Sequence, residues 1–232
     1  MTVLYLVRHG ETEWNTGGRF QGQRDTPLSE TGCDQARRTA RALAGRHFDA
    51  VYTSDLARAA ATAACIAAPH DFVPIPDIRL REVFFGEWEG LSIAEVTARW
   101  PEIIAAWRAD SLRTRPPGAE TVQQMLERVS AFVDELCRRY PDGDLCIVGH
   151  GGSLRGLLVH ALGGDPALYR RLRLDNCSIS IVKAADDRWS LLLLNDTCHL
   201  GAPVERATTE SGDQWRQALK ENSPSDVESG TR

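Results

Sequence analysis

Short apolar runs alternate with segments of helical period along this chain, and that alternation does most to limit the folds open to it. Val3-Leu4-Tyr5-Leu6-Val7 reads as a strand and ends abruptly in Arg8-His9-Gly10. In "LSETGCDQARRTARALAG", Ser29 is placed as an N-cap and Ala36, Ala40, Leu43 and Ala44 share one face of a helix ending near Gly45. "DAVYTS" (49–54) reads as a short buried strand, and "ARAAATAACIAA" as a helix stopped by Pro69. "FVPIP" and "IRLREV" look extended, whereas "SIAEVTARW" and "EIIAAWRA" look like short helices separated by Pro101. The clearest helix is "ETVQQMLERVSAFVDELCRRY", with Val122, Met125, Leu126, Val129, Val133, Leu136 and Cys137 at 3.6-residue spacing. "DLCIVG" (144–149) is a strand, "GSLRGLLVHALG" a helix ending at Gly163 or Gly164, and "CSISIVKA" and "WSLLLL" are a hairpin or neighbouring strands.

Such alternation implies an α/β fold, a mostly parallel sheet with helices on both faces, in which ligands bind beyond the carboxyl ends of the strands. Arg8-His9-Gly10 follows the first strand and "GHGG" (149–152) follows the strand at 144–149, so two glycine-flanked histidines are expected at one sheet edge. The 232 residues suffice for one large domain, and the net charge of −5 offers no basic field for nucleic acid. No apolar stretch is long enough for a membrane helix, and the N-terminal run is too short for a signal-peptide core, so a cytoplasmic protein is expected. The six cysteines lack CxxC pairing and read as small buried hydrophobes; the six histidines lack zinc-binding spacing, so neither metal nor cofactor is expected.

The residues at the strand ends suit phosphate. The planar guanidinium of Arg8 can meet two phosphoryl oxygens, and glycines at 10, 149, 151 and 152 permit close approach of the backbone. A neutral His9 imidazole is a competent nucleophile toward phosphorus, helped if a backbone carbonyl fixes its tautomer. A lone histidine after a strand is most often a hydrogen-bonded structural group. A histidine between arginine and glycine, matched by a second Gly-His-Gly at another strand end, is harder to explain so.

"LVRHGETEWN" resembles the signature of the histidine phosphatase superfamily, which also contains the cofactor-dependent phosphoglycerate mutases. "RFQGQRDTPLSETG", "VYTSDLARAAATA", "LREVFFGEWEG" and "IVGHGG" follow in the family's order, so the resemblance runs from residue 3 to about 201. It implies a three-layer α/β sandwich with a small helical cap at about 84–125, within a catalytic domain at 1–202. It also implies that His9 is phosphorylated during turnover, that Arg8 and Arg58 bind the transferred group, and that His150 donates to the phosphoryl oxygens. Glu82 falls on the family's proton donor, an acid that burial beside Val83, Phe84 and Phe85 would hold protonated. Glu87 and Glu89 are read as surface charges. Asn15, Gln21, Gly22 and Gly151 match further positions of the substrate pocket. Two departures, Ala61 where the family often has glutamine and "PPGAET" where two glycines are usual, are expected to reshape that pocket.

The implied function is a metal-independent phosphomonoesterase acting on a small phosphorylated metabolite through phosphohistidine. "FFGEWEG" is similar to α-ribazole phosphatases, and "DNCSISIV" with "LLLLNDTCHLG" is similar to metal-independent phosphoserine phosphatases. The alternatives are mutase-type phosphoryl transfer and a non-catalytic binding module, the latter at odds with the complete set Arg8, His9, Arg58, Glu82 and His150. No nucleic-acid or membrane partner is expected; a homodimer is compatible with the family. No role is assigned to His199. Residues 203–232 are polar without a sustained apolar face and read as a mobile tail.

Overall fold

The computed structural model describes residues 1–185 and 188–201. Its elements run β1 (Thr2–Arg8), α1 (Glu13–Thr16), α2 (Glu30–Leu43), β2 (Ala50–Thr53), α3 (Ala57–Ala67), β3 (Ile75–Pro76), α4 (Ile93–Arg99), α5 (Pro101–Ala109), α6 (Val122–Arg139), β4 (Asp144–Gly149), α7 (Gly151–Ala161), β5 (Ile179–Ala185) and β6 (Arg188–Asp196). The six strands form one sheet in the order β3-β2-β4-β1-β5-β6. The first four in that order are parallel, and β5 and β6 are added antiparallel.

Strand parity divides the core in two. Leu4, Leu6, Tyr52, Leu145 and Ile147 point to the face covered by α6 and α7. Tyr5, Val7, Val51, Cys146 and Val148 point to the face covered by α2 and α3. Both faces of the inner strands are thus dry, which is why they read as continuous apolar runs rather than alternating ones. On α6 the expected stripe is buried and also includes Phe132; each such large side chain contributes about 1.5–3 kcal/mol on burial. Ser29 caps α2 as expected, its hydroxyl accepting from the Gly32 amide at 3.0 Å.

Several local expectations fail for identifiable reasons. Residues 78–80 form a 3₁₀ turn rather than a strand, because the Asp77 carboxylate accepts the Arg79 amide at 2.8 Å and caps that turn. Within "FVPIP" only Ile75–Pro76 pairs, at the sheet edge. Ala44 is exposed, since α2 ends at Leu43 and the chain turns away. Of the cysteines, Cys146 and Cys177 are buried, but Cys33, Cys65 and Cys137 are only half-buried and Cys198 is exposed; all six are free. The expected tail lies outside the described residues apart from its approach.

A third, smaller apolar cluster stands apart from both faces of the sheet. Trp88, Val96 and Ile104 are its buried members, with Phe20, Phe85, Trp100 and Trp107 packed around them. Ser92 caps α4, and Pro101 occupies the first position of α5, where its missing N–H costs nothing. The stretch from 84 to 109 therefore packs around an aromatic cluster completed by Phe20, with Phe85 also touching the main core, whereas Val122 and Met125, at the end of the segment expected as a cap, belong to the core beneath the sheet.

Candidate active site

Parallel pairing of β1 with β4 sets Val7 opposite Val148 and Arg8 opposite Gly149, so the two strands end together. The His9 amide then donates to the Gly149 carbonyl at 2.9 Å, and the rings of His9 and His150 lie 5.0 Å apart. His9 is 3 % exposed, and its Nδ1 lies 2.7 Å from the Gly10 carbonyl. A carbonyl can only accept, so Nδ1 carries the proton and Nε2 keeps its lone pair. Two further bonds pin this backbone: Asn176 Nδ2 donates to the His9 carbonyl at 2.9 Å, and the Gly10 amide donates to Thr62 Oγ1 at 3.1 Å. Burial, then Arg58 and Arg8, hold His9 well below the ordinary imidazole range. Burial, then Arg58, His9 and Arg8, do the same to His150, whose two ring nitrogens are buried without a protein partner.

The two arginines are anchored at one end and open at the other. Arg8 donates from one terminal nitrogen to the Leu174 carbonyl at 2.7 Å, and Arg58 donates to the carbonyls of Gly22 and Arg24 at 2.7 and 2.9 Å. The Nε of each is buried and unpartnered. Arg58 is fully buried at the start of α3, and burial pulls its pKa down to about 10. Two guanidinium groups and two neutral imidazoles thus crowd together with donors unspent, an arrangement that costs free energy until an anion satisfies it. The amino end of α7 directs further positive potential at the same point.

Glu82 reaches the site from the other side. Its carboxylate accepts the Gly152 amide and the Val83 amide, each at 2.9 Å. Of the three apolar neighbours expected around it, Val83 and Phe85 line the same cavity, whereas Phe84 is exposed, and the carboxylate itself is held by backbone amides. A Cβ on Gly152 would sit 2.0 Å from Glu82 Oε1, so this approach requires glycine. Arg128, on α6, fixes the segment that carries Glu82. It donates to the carbonyls of Arg79, Arg81 and Glu82 at 2.6, 2.8 and 3.1 Å, and pairs with Glu120 at 2.6 Å.

Asn15, Gln21, Gly22 and Gly151 all line the same cavity of about 380 Å³ as Arg8, His9, Arg58 and Glu82. Gln21 is positioned by Thr26 Oγ1, which donates to its side-chain carbonyl at 2.9 Å, and Asn15 Oδ1 accepts from the Thr12 amide at 3.1 Å. Glu87 is exposed as expected, but Glu89 is not a surface charge. It is 8 % exposed, accepts the Gln23 and Phe85 amides at 2.7 and 3.1 Å, and has its pKa raised by burial. Gly22 makes room for it with φ +55°; a Cβ there would lie 1.9 Å from Glu89 Oε1. His199 stands outside the cavity, its Nε2 near Thr39 Oγ1 and the Cys177 carbonyl at 3.0 and 3.1 Å, tying the 3₁₀ turn Cys198–Leu200 to α2.

Sequence reasoning missed Arg128 and Asn176, which act on backbone carbonyls distant in sequence, and the cavity residues Trp14, Trp107, Arg108 and Tyr169. Only the density of arginine and tryptophan between 100 and 115 could have pointed to Trp107 and Arg108. Among the described residues no cluster of three or more His, Cys, Asp or Glu side chains gathers that could hold a metal ion, and no helix is long and apolar enough to cross a membrane.

Comparison with known proteins identifies the family. Residues 4–197 match the model of the histidine phosphatase superfamily, branch 1. Phosphoserine phosphatase 1 of Hydrogenobacter thermophilus is 35% identical over 201 residues, covering 87% of this chain and 95% of its own. A protein named "Probable phosphoglycerate mutase" from Photorhabdus laumondii is 39% identical over 215 residues, covering 88% and 97%. Among solved structures, the α-ribazole phosphatase of Shigella flexneri superposes with a TM-score of 0.79 at 29% identity, covering 84% of this chain and 96% of that one.

Proposed function

The chain belongs to branch 1 of the histidine phosphatase superfamily, and from that premise we propose that it hydrolyses a small-molecule phosphate monoester, without a metal, through phosphohistidine on His9. In the first step the lone pair on His9 Nε2 attacks phosphorus in line, the P–O bond to the alcohol breaks, and Glu82 gives its proton to the departing oxygen. In the second, Glu82 takes a proton from water as the water oxygen attacks the phosphohistidine, which releases inorganic phosphate and restores neutral His9. Arg8, Arg58 and His150 bind the three peripheral oxygens and neutralise charge as it builds, the work that a metal does elsewhere. Asn15, Gln21, Gly22 and Gly151 shape the rest of the pocket. In this reading residues 1–202 are the catalytic domain, the helices within about 84–125 are a cap over the strand ends, and the enzyme works in the cytoplasm.

The observation that carries the reading is the convergence of half-buried Arg8 and fully buried Arg58 and His150, each with buried nitrogens that have no protein partner, on an imidazole whose Nδ1 is already committed to a carbonyl. The relatives named phosphoserine phosphatase and α-ribazole phosphatase support hydrolysis of small phosphates. The test is release of inorganic phosphate from p-nitrophenyl phosphate, phosphoserine, α-ribazole phosphate, 3-phosphoglycerate and sugar phosphates in excess chelator. Activity should persist. Loss in chelator that magnesium or zinc restores would contradict the metal-free mechanism, and conversion of 3- to 2-phosphoglycerate without phosphate release would replace hydrolysis by mutase chemistry.

A further inference from the structure

Resting on the phosphatase reading, we propose that the substrate carries a second acidic group, carboxylate or phosphate, and that Arg108 receives it at the cap end of the cavity.

Arg108 stands in the last turn of α5 and lines the same cavity as His9 and Glu82. Its Nε and one terminal nitrogen are buried without a hydrogen-bond partner. That condition is shared by Arg8 Nε, Arg58 Nε and His150 at the phosphate end, so the cavity holds, away from that end, a third guanidinium with donors unspent. Other cavity arginines are engaged: Arg19 with Glu95 at 3.0 Å, Arg155 with the Gly151 carbonyl at 2.7 Å and over the Tyr169 ring, Arg173 with Asp175 at 2.9 Å, Arg115 with the Ala119 carbonyl at 3.4 Å, and Arg170 with the carbonyls of Arg108 and Ala109.

No carboxylate of the lining compensates Arg108. Glu82 is held by the Val83 and Gly152 amides, Glu120 by Arg128, and Asp175 by Arg173. Burial pulls the pKa of Arg108 down, as expected for a cation partly withdrawn from water. The backbone that carries it is anchored: the Arg170 guanidinium donates to the carbonyls of Arg108 and Ala109, tying the end of α5 to the turn Pro166–Arg170. A planar fork with free N–H groups favours an oxyanion over an alcohol or amide, because charge-assisted bonds to carboxylate or phosphate are the stronger ones.

Three matched pairs of substrates test this: 3-phosphoglycerate against glycerol 3-phosphate, phosphoserine against phosphoethanolamine, and glucose 1,6-bisphosphate against glucose 6-phosphate. The first two pairs differ in a carboxylate and the third in a second phosphate. At least one pair should favour the more acidic member by about ten- to a hundredfold in kcat/KM, the worth of one charge-assisted contact. In Arg108→Gln that ratio should collapse toward one, and Arg108→Lys, which keeps the charge but not the fork, should fall between. Taking ratios within each enzyme cancels any loss of folded protein. Ratios near one in the parent protein for all three pairs, or a preference unchanged in Arg108→Gln, would overturn the proposal while leaving the phosphatase reading intact. Absence of phosphate release even from p-nitrophenyl phosphate would overturn both.

Discussion

The two ends of the cavity are built on different principles. At the strand ends, Arg8, His9, Arg58 and His150 are held by the sheet register and by backbone carbonyls, with both sides of the sheet packed beneath them. At the other end, the lining hangs on two short helices, α4 and α5, around the small buried cluster of Trp88, Val96 and Ile104. In the proposed reaction the first arrangement would fix the atoms that meet phosphorus, and the second would supply a surface that can change from one substrate to another without disturbing them. Chemistry and specificity are therefore expected to separate on mutation.

The sharpest break comes from the phosphate end. His9→Ala should abolish turnover, whereas His150→Ala should retain activity reduced about 10²–10³-fold, the usual loss of one donor to a developing oxyanion. Steady-state phosphate release with p-nitrophenyl phosphate decides it. Comparable residual rates in both variants would mean that His9 only binds.

Glu82 joins the two ends, and its variants sharpen the comparison by leaving group. Glu82→Gln should slow alkyl phosphates by about 10²–10⁴-fold. In the pre-steady-state burst, p-nitrophenyl phosphate should suffer much less, because its leaving group needs little protonation. Equal losses would make Glu82 a shaping residue. Arg128→Met, which releases the carbonyls of Arg79, Arg81 and Glu82 and strands Glu120, should lower stability by about 3–5 kcal/mol. At temperatures where it remains folded, its alkyl-to-aryl ratio should shift in the same direction as that of Glu82→Gln. An unchanged ratio would confine Arg128 to a structural part.

A third variant probes the cap. Ile104→Ala empties part of its small core and should cost about 2–4 kcal/mol. Hydrogen exchange should rise within 84–109 and not in β1 or β4, and kcat for p-nitrophenyl phosphate should change less than KM for larger substrates. Uniform acceleration of exchange would show that the two ends are one cooperative unit.

The smallest expected effect is on pH dependence. His9, His150 and, by burial, His199 lie below their ordinary value near 6.5 in the folded chain. As pH falls through about 6.5 the unfolded chain binds protons that the folded chain refuses, so stability present above that pH is lost below it. Each histidine adds a slope of up to about 1.4 kcal/mol per pH unit. Denaturant midpoints between pH 7.5 and 5.5 should follow this, with a shallower fall in His150→Gln and in saturating phosphate. A flat profile would show that the site histidines charge freely.

This contrast also explains what the sequence reveals. The strand ends were legible because apolar runs, glycines and the Ser29 cap are local signals whose partners lie close in the chain or follow from strand register. Glu89 was misread because its amide donors at Gln23 and Phe85 are brought to it by folding, and nothing near it in sequence marks burial. Nothing local marks Arg128 for the same reason, since the carbonyls it holds lie some 46 to 49 residues away, and the turn at Ile78–Leu80 was hidden by an apolar pattern that one Asp77 contact overrides. Arg108 is invisible in a chain with many arginines until its neighbours are seen to be engaged elsewhere.

The central claim, covalent transfer to His9, is open to direct capture. Quenching in alkaline detergent during turnover of a ³²P-labelled substrate, followed by peptide mapping at alkaline pH, should recover acid-labile, base-stable label on the peptide containing His9, formed and lost at rates competent for turnover and absent from His9→Ala. Turnover without any such label, or label on a different residue, would contradict it.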